Sequence, residues 1–210
     1  MGDQLAQRLE TFANNDSIVM CLDRSALLCC IELAAMLHAW VFMIHSETID
    51  DPYAIDRKLG VVLESGEFVL NPAISTREYD YIYTNFSSEI DQAKRVAMSR
   101  LNRGAQVNAF DYSFINGRNV LLADDIFRDD MGLAIAKAIL KPLRPNHVEG
   151  VAGNILPDIS TKLYLETEGT TYLDVIPSNL FDDDHYFEQP DSYSDEQKAD
   201  LAKNISIYWA

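Results

Sequence analysis

Short apolar runs alternate along the chain with stretches of helical periodicity, and their order predicts the architecture. "SIVMCL" (Ser17 to Leu22) is an apolar run after "NND", as expected of a buried strand. "RSALLCCIELAAMLHA" follows as a helix and "WVFMI" (Trp40 to Ile44) as a second buried strand. Strand, helix, strand with little polar alternation predicts a βαβ unit and a parallel sheet, because strands covered on both faces have no polar side. Further on, "NVLLADD" reads as a third parallel strand after a turn at Asn116-Gly117, "HVEGVAGNI" as a fourth and "TYLDVI" as a fifth. The segments between them read as helices: Met131 to about Leu143, stopped by Pro142 and Pro145, and "PDISTKLYLETEG", closed by Gly169.

Three segments fall outside this alternation. Leu5, Leu9 and Phe12 recur at helical spacing, so residues 3–14 predict a short amphipathic helix. "GVVLESGEFVLN" (Gly60 to Asn71) predicts a hairpin, its apolar triplets separated by Glu64, Ser65, Gly66 and Glu67. A helical arm then starts near Ser75, which stands three before Glu78 as in a capping box, and runs to Leu101 with a break near "NFSS". The expected fold class is α/β, a doubly wound and mostly parallel sheet. One domain over 1–210 carries the hairpin and arm as an insertion at 60–104 and a C-terminal tail and helix at 181–210.

Composition is ordinary for a globular chain, but the formal net charge of −16 is not. Such a surface repels nucleic acid and anionic membranes, so neither is an expected partner. It serves solubility or a salt-rich host as readily as it serves a basic partner. The longest apolar stretch, Ala26 to Ile44, is interrupted by Glu32 and His38 and splits into helix plus strand rather than spanning a membrane. The first thirteen residues carry Asp3, Gln4, Gln7, Arg8 and Glu10 and do not resemble a signal peptide, so the expected location is the cytoplasm. The three cysteines, Cys21, Cys29 and Cys30, lie in apolar segments and are expected reduced and buried.

The paired aspartates at the end of "VLLADD" (Val120 to Asp125) resemble the signature of the type I phosphoribosyltransferases. In that family two acids contact ribose hydroxyls, and a following loop rich in Thr and Gly holds the 5′-phosphate of phosphoribosyl pyrophosphate. The chain is similar to the bacterial "predicted phosphoribosyltransferase" group over nearly its whole length. "SIVMCLDRSALLCCIELAAMLHA" resembles the first strand, pyrophosphate loop and helix of that group. "KLGVVLESGEFVLN" resembles its hairpin, and "FDDDHYFEQPDSYSDEQKADLAKN" its tail. The resemblance implies a ligand site made of Asp124, Asp125, Arg128, Asp129 and Asp130 from one loop and Arg24 and Ser25 from the other.

Both loops depart from the family pattern. Arg128, Asp129 and Asp130 stand where Thr, Thr and Gly are expected. In the first loop Arg24 is kept, but Asp23 occupies the proline position and Ser25 and Ala26 replace both glycines. After the second strand "HSETIDD" stands in place of a basic dipeptide. Glycines let a backbone approach an anion, and a helix N-terminus adds partial positive charge. A carboxylate and a phosphate about 4 Å apart repel by on the order of 4 kcal/mol at an effective dielectric near 20. A helix end returns only ~0.3–2 kcal/mol, so the phosphate site is expected to be lost. Asp129 and Asp130 are at least as well explained as helix caps.

Other chemistry is thin. Asp124, Asp125, Asp129 and Asp130 offer oxygen ligands to Mg²⁺, but without the spacing of a calcium loop, and "FDDDHYFE" (Phe181 to Glu188) reads as a solvated loop. Ser25 lacks the flanking glycines of a nucleophile elbow, and neither His38 nor His45 has an acid partner at readable spacing. Tyr79, Tyr81, Tyr83 and Phe86 read as interface or core. Two functions follow. The first is a phosphoribosyltransferase-like homodimer without catalytic residues, binding a nucleotide or ribose-phosphate small molecule in a binding or regulatory role. The second is an active divergent enzyme in which Asp124 and Asp125 hold ribose hydroxyls or Mg²⁺ while Arg24 and Arg128 face phosphates. A third, an acidic surface for a basic protein, rests on net charge alone.

Overall fold

A computed structural model describes residues 1–14, 16–23, 25–104 and 111–177. In chain order the first elements are α1 (Gly2–Arg8), a 3-10 turn (Glu10–Phe12), β1 (Ser17–Cys21), α2 (Leu27–Leu37) and β2 (Trp40–Met43). Then come β3 (Ser46–Asp50), β4 (Lys58–Leu63), β5 (Phe68–Leu70) and α3 (Thr76–Gly104). A second 3-10 turn (Tyr112–Ile115) leads to β6 (Asn119–Phe127), α4 (Met131–Leu140), β7 (His147–Ile155), α5 (Pro157–Glu166) and β8 (Gly169–Val175). The chain divides into two compact units, one of residues 1–44, 110–129 and 140–210, the other of 45–109 and 130–139.

The first unit holds a five-stranded sheet in the order β2-β1-β6-β7-β8. Every pairing in it is parallel. The side chains of β1 are buried throughout, as an apolar run covered on both faces requires. Val19 and Cys21 of β1, Leu121 and Ala123 of β6 and Val151 of β7 share one core with Leu5 of α1 and Leu33 of α2. The other face is covered by α5. A Cβ on Gly150 would meet Leu163 at 2.5 Å, so only glycine lets α5 approach β7 this closely. All five predicted parallel strands are present, and no helix of the described residues is long and apolar enough to cross a membrane.

The second unit pairs an antiparallel sheet, β3-β4-β5, with the long helix α3. Ile49, Leu59 and Val62 of the sheet pack against Ile82, Ile90, Ala97 and Leu101 of the helix. The predicted hairpin is β4 and β5; its turn closes through Leu63 N–H to Glu67 O at 2.9 Å, with Gly66 at φ 84°, a conformation that suits glycine. The predicted break in the arm is a kink at Phe86, whose φ of −131° leaves the helical region. Ser75 Oγ accepts the Glu78 N–H at 3.2 Å, capping the helix start. The Glu78 carboxylate itself pairs with Arg57 at 2.6 Å.

Four boundaries differ from the sequence expectation. The first helix ends at Arg8, and the chain continues to Phe12 as a 3-10 turn, which keeps Leu5 and Leu9 buried all the same. "SETID", to which the sequence assigns no element, is strand β3, with Ile49 as its one buried apolar residue. Gly169 opens β8 rather than closing α5, which ends where the Thr167 hydroxyl reaches Leu163 O at 2.7 Å. β6 continues two residues past the acid pair, because Ile126 and Phe127 are apolar, buried and paired with β7. The predicted tail and its helix at 181–210 lie outside the described residues.

Beyond β3, Asp51 buries its side chain completely and is held by Arg57, whose Nε donates to Oδ2 at 2.7 Å. The Tyr53 N–H satisfies the other oxygen at 2.8 Å. Removing the arginine strands a buried carboxylate. Arg57→Ala therefore destabilises the protein by about 2–4 kcal/mol, somewhat below the ~3–5 of a fully buried pair because Arg57 stays partly exposed. Urea unfolding read by circular dichroism checks this.

Candidate functional site

The strand order reverses at β1 and β6. The chain leaves β1 toward β2 on one side and leaves β6 toward β7 and β8 on the other. In open α/β sheets such a switch point opens a crevice at the carboxyl ends of the strands. Here Cys21 pairs with Ala123, and the Leu22 N–H carries the pairing one residue further, to Ala123 O at 3.1 Å. That register sets the loop after β1 beside Asp124 and Asp125.

Within this loop Asp23 Oδ1 accepts the Ser25 N–H at 2.8 Å, a local turn that short acidic side chains form with the backbone two residues on. The Ser25 hydroxyl lies 3.3 Å from Asp125 Oδ1, to which it donates. The same oxygen accepts the Ile126 N–H at 2.8 Å. Asp124 is perturbed. Burial holds its carboxyl well above the usual carboxylate range, and a hydrogen bond to Asp125, then the charges of Asp125 and Asp23, push the same way. Two adjacent acids of which one keeps its proton can share it, with the neutral partner donating to the ionised one.

The sequence-predicted ligands thus divide. Ser25, Asp124 and Asp125 come together. Arg128 and Asp129 are exposed in the connection after β6. The carbonyl of Asp130 accepts the Ala134 N–H at 3.0 Å, which sets Asp130 at the N-cap position of α4, as expected of a residue that starts a helix. Arg24 lies outside the described residues. Asp23 is the residue that sequence reasoning marks only as a departure from the loop pattern; an aspartate two before a serine at a strand-to-helix turn is the signal that could have placed it.

Metal and nucleophile chemistry find little footing. Among the described residues no three His, Cys, Asp or Glu side chains gather as a metal site would need. Burial, which raises the Asp124 carboxyl, also works against the ionised form that Mg²⁺ would need there. Burial pushes the Cys29 thiol up to about 12 and the Cys30 thiol upward as well, so both are neutral core groups. His38 is structural: it ends α2 in the left-handed conformation (φ 52°), and the Ala39 N–H closes the turn onto Ala34 O at 2.9 Å.

The raised Asp124 makes stability depend on pH. The folded state binds this proton more tightly than the unfolded chain, so its contribution is fully present below the unfolded value near 3.8 and declines as pH rises toward the folded value. Asp124→Asn, which mimics the protonated acid, is expected to raise the melting temperature at pH 8 relative to the parent protein. The difference shrinks toward pH 4. Thermal melts at both pH values check this.

No family model matches the sequence, and no curated protein does. Among solved structures the chain is similar to the protein TT1426 from Thermus thermophilus, at 22% identity over 100% of this chain and 95% of that one, with a TM-score of 0.72. It is more distantly similar to a purine phosphoribosyltransferase from Pyrococcus horikoshii, at 11% identity over 92% and 91% of the two chains and a TM-score of 0.44. An adenine phosphoribosyltransferase from Leishmania donovani gives 11% identity over 92% and 69%, also at 0.44. The likeness to TT1426 is one of fold. With five parallel strands, helices on both faces and the acid pair on the central strand, the chain has a fold of the type I phosphoribosyltransferase type.

Proposed function

We propose that the crevice between β1 and β6 is a small-molecule binding site that has given up phosphoribosyl pyrophosphate and plays a binding or regulatory role without catalysis. The observation that carries this is the Asp23 carboxylate on the Ser25 N–H. In a phosphate-binding loop that backbone donor faces the anion. Here a fixed negative charge occupies it, and Asp125 stands on the far side of the same serine.

The surroundings favour hydroxyl donors over phosphate. Asp125 already accepts one hydroxyl, from Ser25, and a vicinal diol offers two. A ribosyl compound bearing little or no phosphate fits these acceptors, its hydroxyls replacing the serine and bridging to Asp124. An active enzyme would instead need a cation to screen Asp23, Asp124 and Asp125.

Isothermal titration separates the two. Ribonucleosides and ribose 5-phosphate are expected to give heat that Asp124→Asn/Asp125→Asn abolishes. Phosphoribosyl pyrophosphate with Mg²⁺ is expected to give none that depends on this pair. Micromolar binding of phosphoribosyl pyrophosphate that the double variant removes would establish the active-enzyme reading instead.

A further inference from the structure

The second half of α3 is out of character with the rest of the chain. Residues 92–104 carry Lys94, Arg95, Arg100 and Arg103 and no acid, in a protein of net charge −16. The helix macrodipole explains cations in the last turn only, since its effect fades within one turn, and Lys94 and Arg95 stand well before it. The packed face of the helix is Ile90, Ala97 and Leu101. Its other flank, of exposed Arg95, Ser99, Asn102 and Arg103 with half-buried Lys94 and Met98, lines an open concavity of about 530 Å³.

The cations of this unit are not used alike. Arg57 pairs with Asp51 and Glu78, and Arg100 with Glu47 at 3.4 Å. Arg95 and Arg103 are exposed, and among the described residues neither has a carboxylate partner. Arg95 reaches only Gln92 Oε1 at 3.3 Å, and Arg103 only the carbonyl and hydroxyl of Ser99, each at 3.2 Å. Eight residues apart on one flank, the two guanidinium stems are separated by ~12 Å along the axis. Their side chains can converge over Ser99 and Asn102, which add a hydroxyl and an amide. Lys94 closes one end, its ammonium 3.9 Å from the centre of the Phe68 ring.

We propose that this concavity binds a compact polyphosphate, free or carried on a nucleoside, with Arg95 and Arg103 clamping it from either end. Planar guanidinium groups suit phosphate oxygens, and ion-assisted hydrogen bonds are the strong ones. Size follows from the charge map. At physiological salt the field of the acidic surface is screened beyond ~8 Å, so a short anion meets mainly the basic flank. An extended polyanion also meets acids, beginning with Glu64 and Glu67 on the turn at Gly66, where an added Cβ would lie 3.8 Å from Met98. This site shares no residue with the crevice between β1 and β6, and the proposal does not depend on that crevice's ligand.

The test is isothermal titration of the full chain with inorganic pyrophosphate and with a nucleoside diphosphate, without added metal and at low and moderate salt. The parent protein is expected to bind, more weakly as salt rises. Arg95→Gln/Arg103→Gln is expected to weaken binding roughly tenfold or more, with the melting temperature little changed because both side chains are exposed. Asp124→Asn/Asp125→Asn is expected to bind pyrophosphate as the parent does. Arg77→Gln, which removes one positive charge elsewhere on α3, should leave affinity within about twofold, as expected of an exposed charge distant along the helix. In Asp124→Asn/Asp125→Asn, tighter binding of the nucleoside diphosphate than of pyrophosphate assigns the nucleoside form, and equal binding assigns the free anion. No binding by the parent, equal loss in Arg77→Gln, or binding of polyglutamate but not pyrophosphate would overturn the proposal.

Discussion

The parallel pairing of β1 with β6 is the constraint on which the rest of the candidate site depends. Both strands are apolar and buried, they run the same way, and Cys21 stands opposite Ala123. Parallel strands end together, so whatever side chains follow each one are delivered to the same edge. Slipping this register would flip the facing of every buried residue of β1, including Val19 and Cys21, which makes the placement of Asp23, Ser25, Asp124 and Asp125 a consequence of core packing.

What gathers at that edge is negative and already satisfied. Asp23 holds the Ser25 N–H, Ser25 holds Asp125, and burial raises the Asp124 carboxyl above the usual range. In the proposed function, the loop that would wrap an anion with backbone donors is closed by the Asp23 carboxylate. On the proposed reading this edge offers acceptors where a phosphate needs donors, whereas Arg95 and Arg103 of α3 are exposed without a carboxylate partner among the described residues.

Much of the fold was legible because burial writes itself into apolar runs. Five parallel strands, the hairpin and the kink near Phe86 all leave a local signal of apolar runs, turn residues or a polar break. β3 leaves almost none. Only Ile49 of its five residues is buried, and its stability comes from pairing with β4 and from the nearby Asp51–Arg57 pair, both of which are contacts made at a distance along the chain. Gly169 misleads for a related reason: a glycine after a helix reads as a cap, and only pairing with β7 shows it to be the start of a strand. In the site, the acid pair is legible as a motif. The role of Asp23 is not, because it depends on a turn whose geometry the residue types permit without requiring. The basic run on α3 is visible in the sequence, but which of its arginines lack an acid is a fact of packing.

The central claim is that the Ser25 amide is closed to anions by Asp23. The most direct measurement is the ¹⁵N–¹H resonance of Ser25 during titration with pyrophosphate. The account predicts that this resonance stays where it is to millimolar ligand. A saturable shift of the Ser25 amide in the parent protein, at concentrations that leave its melting behaviour otherwise normal, would contradict it.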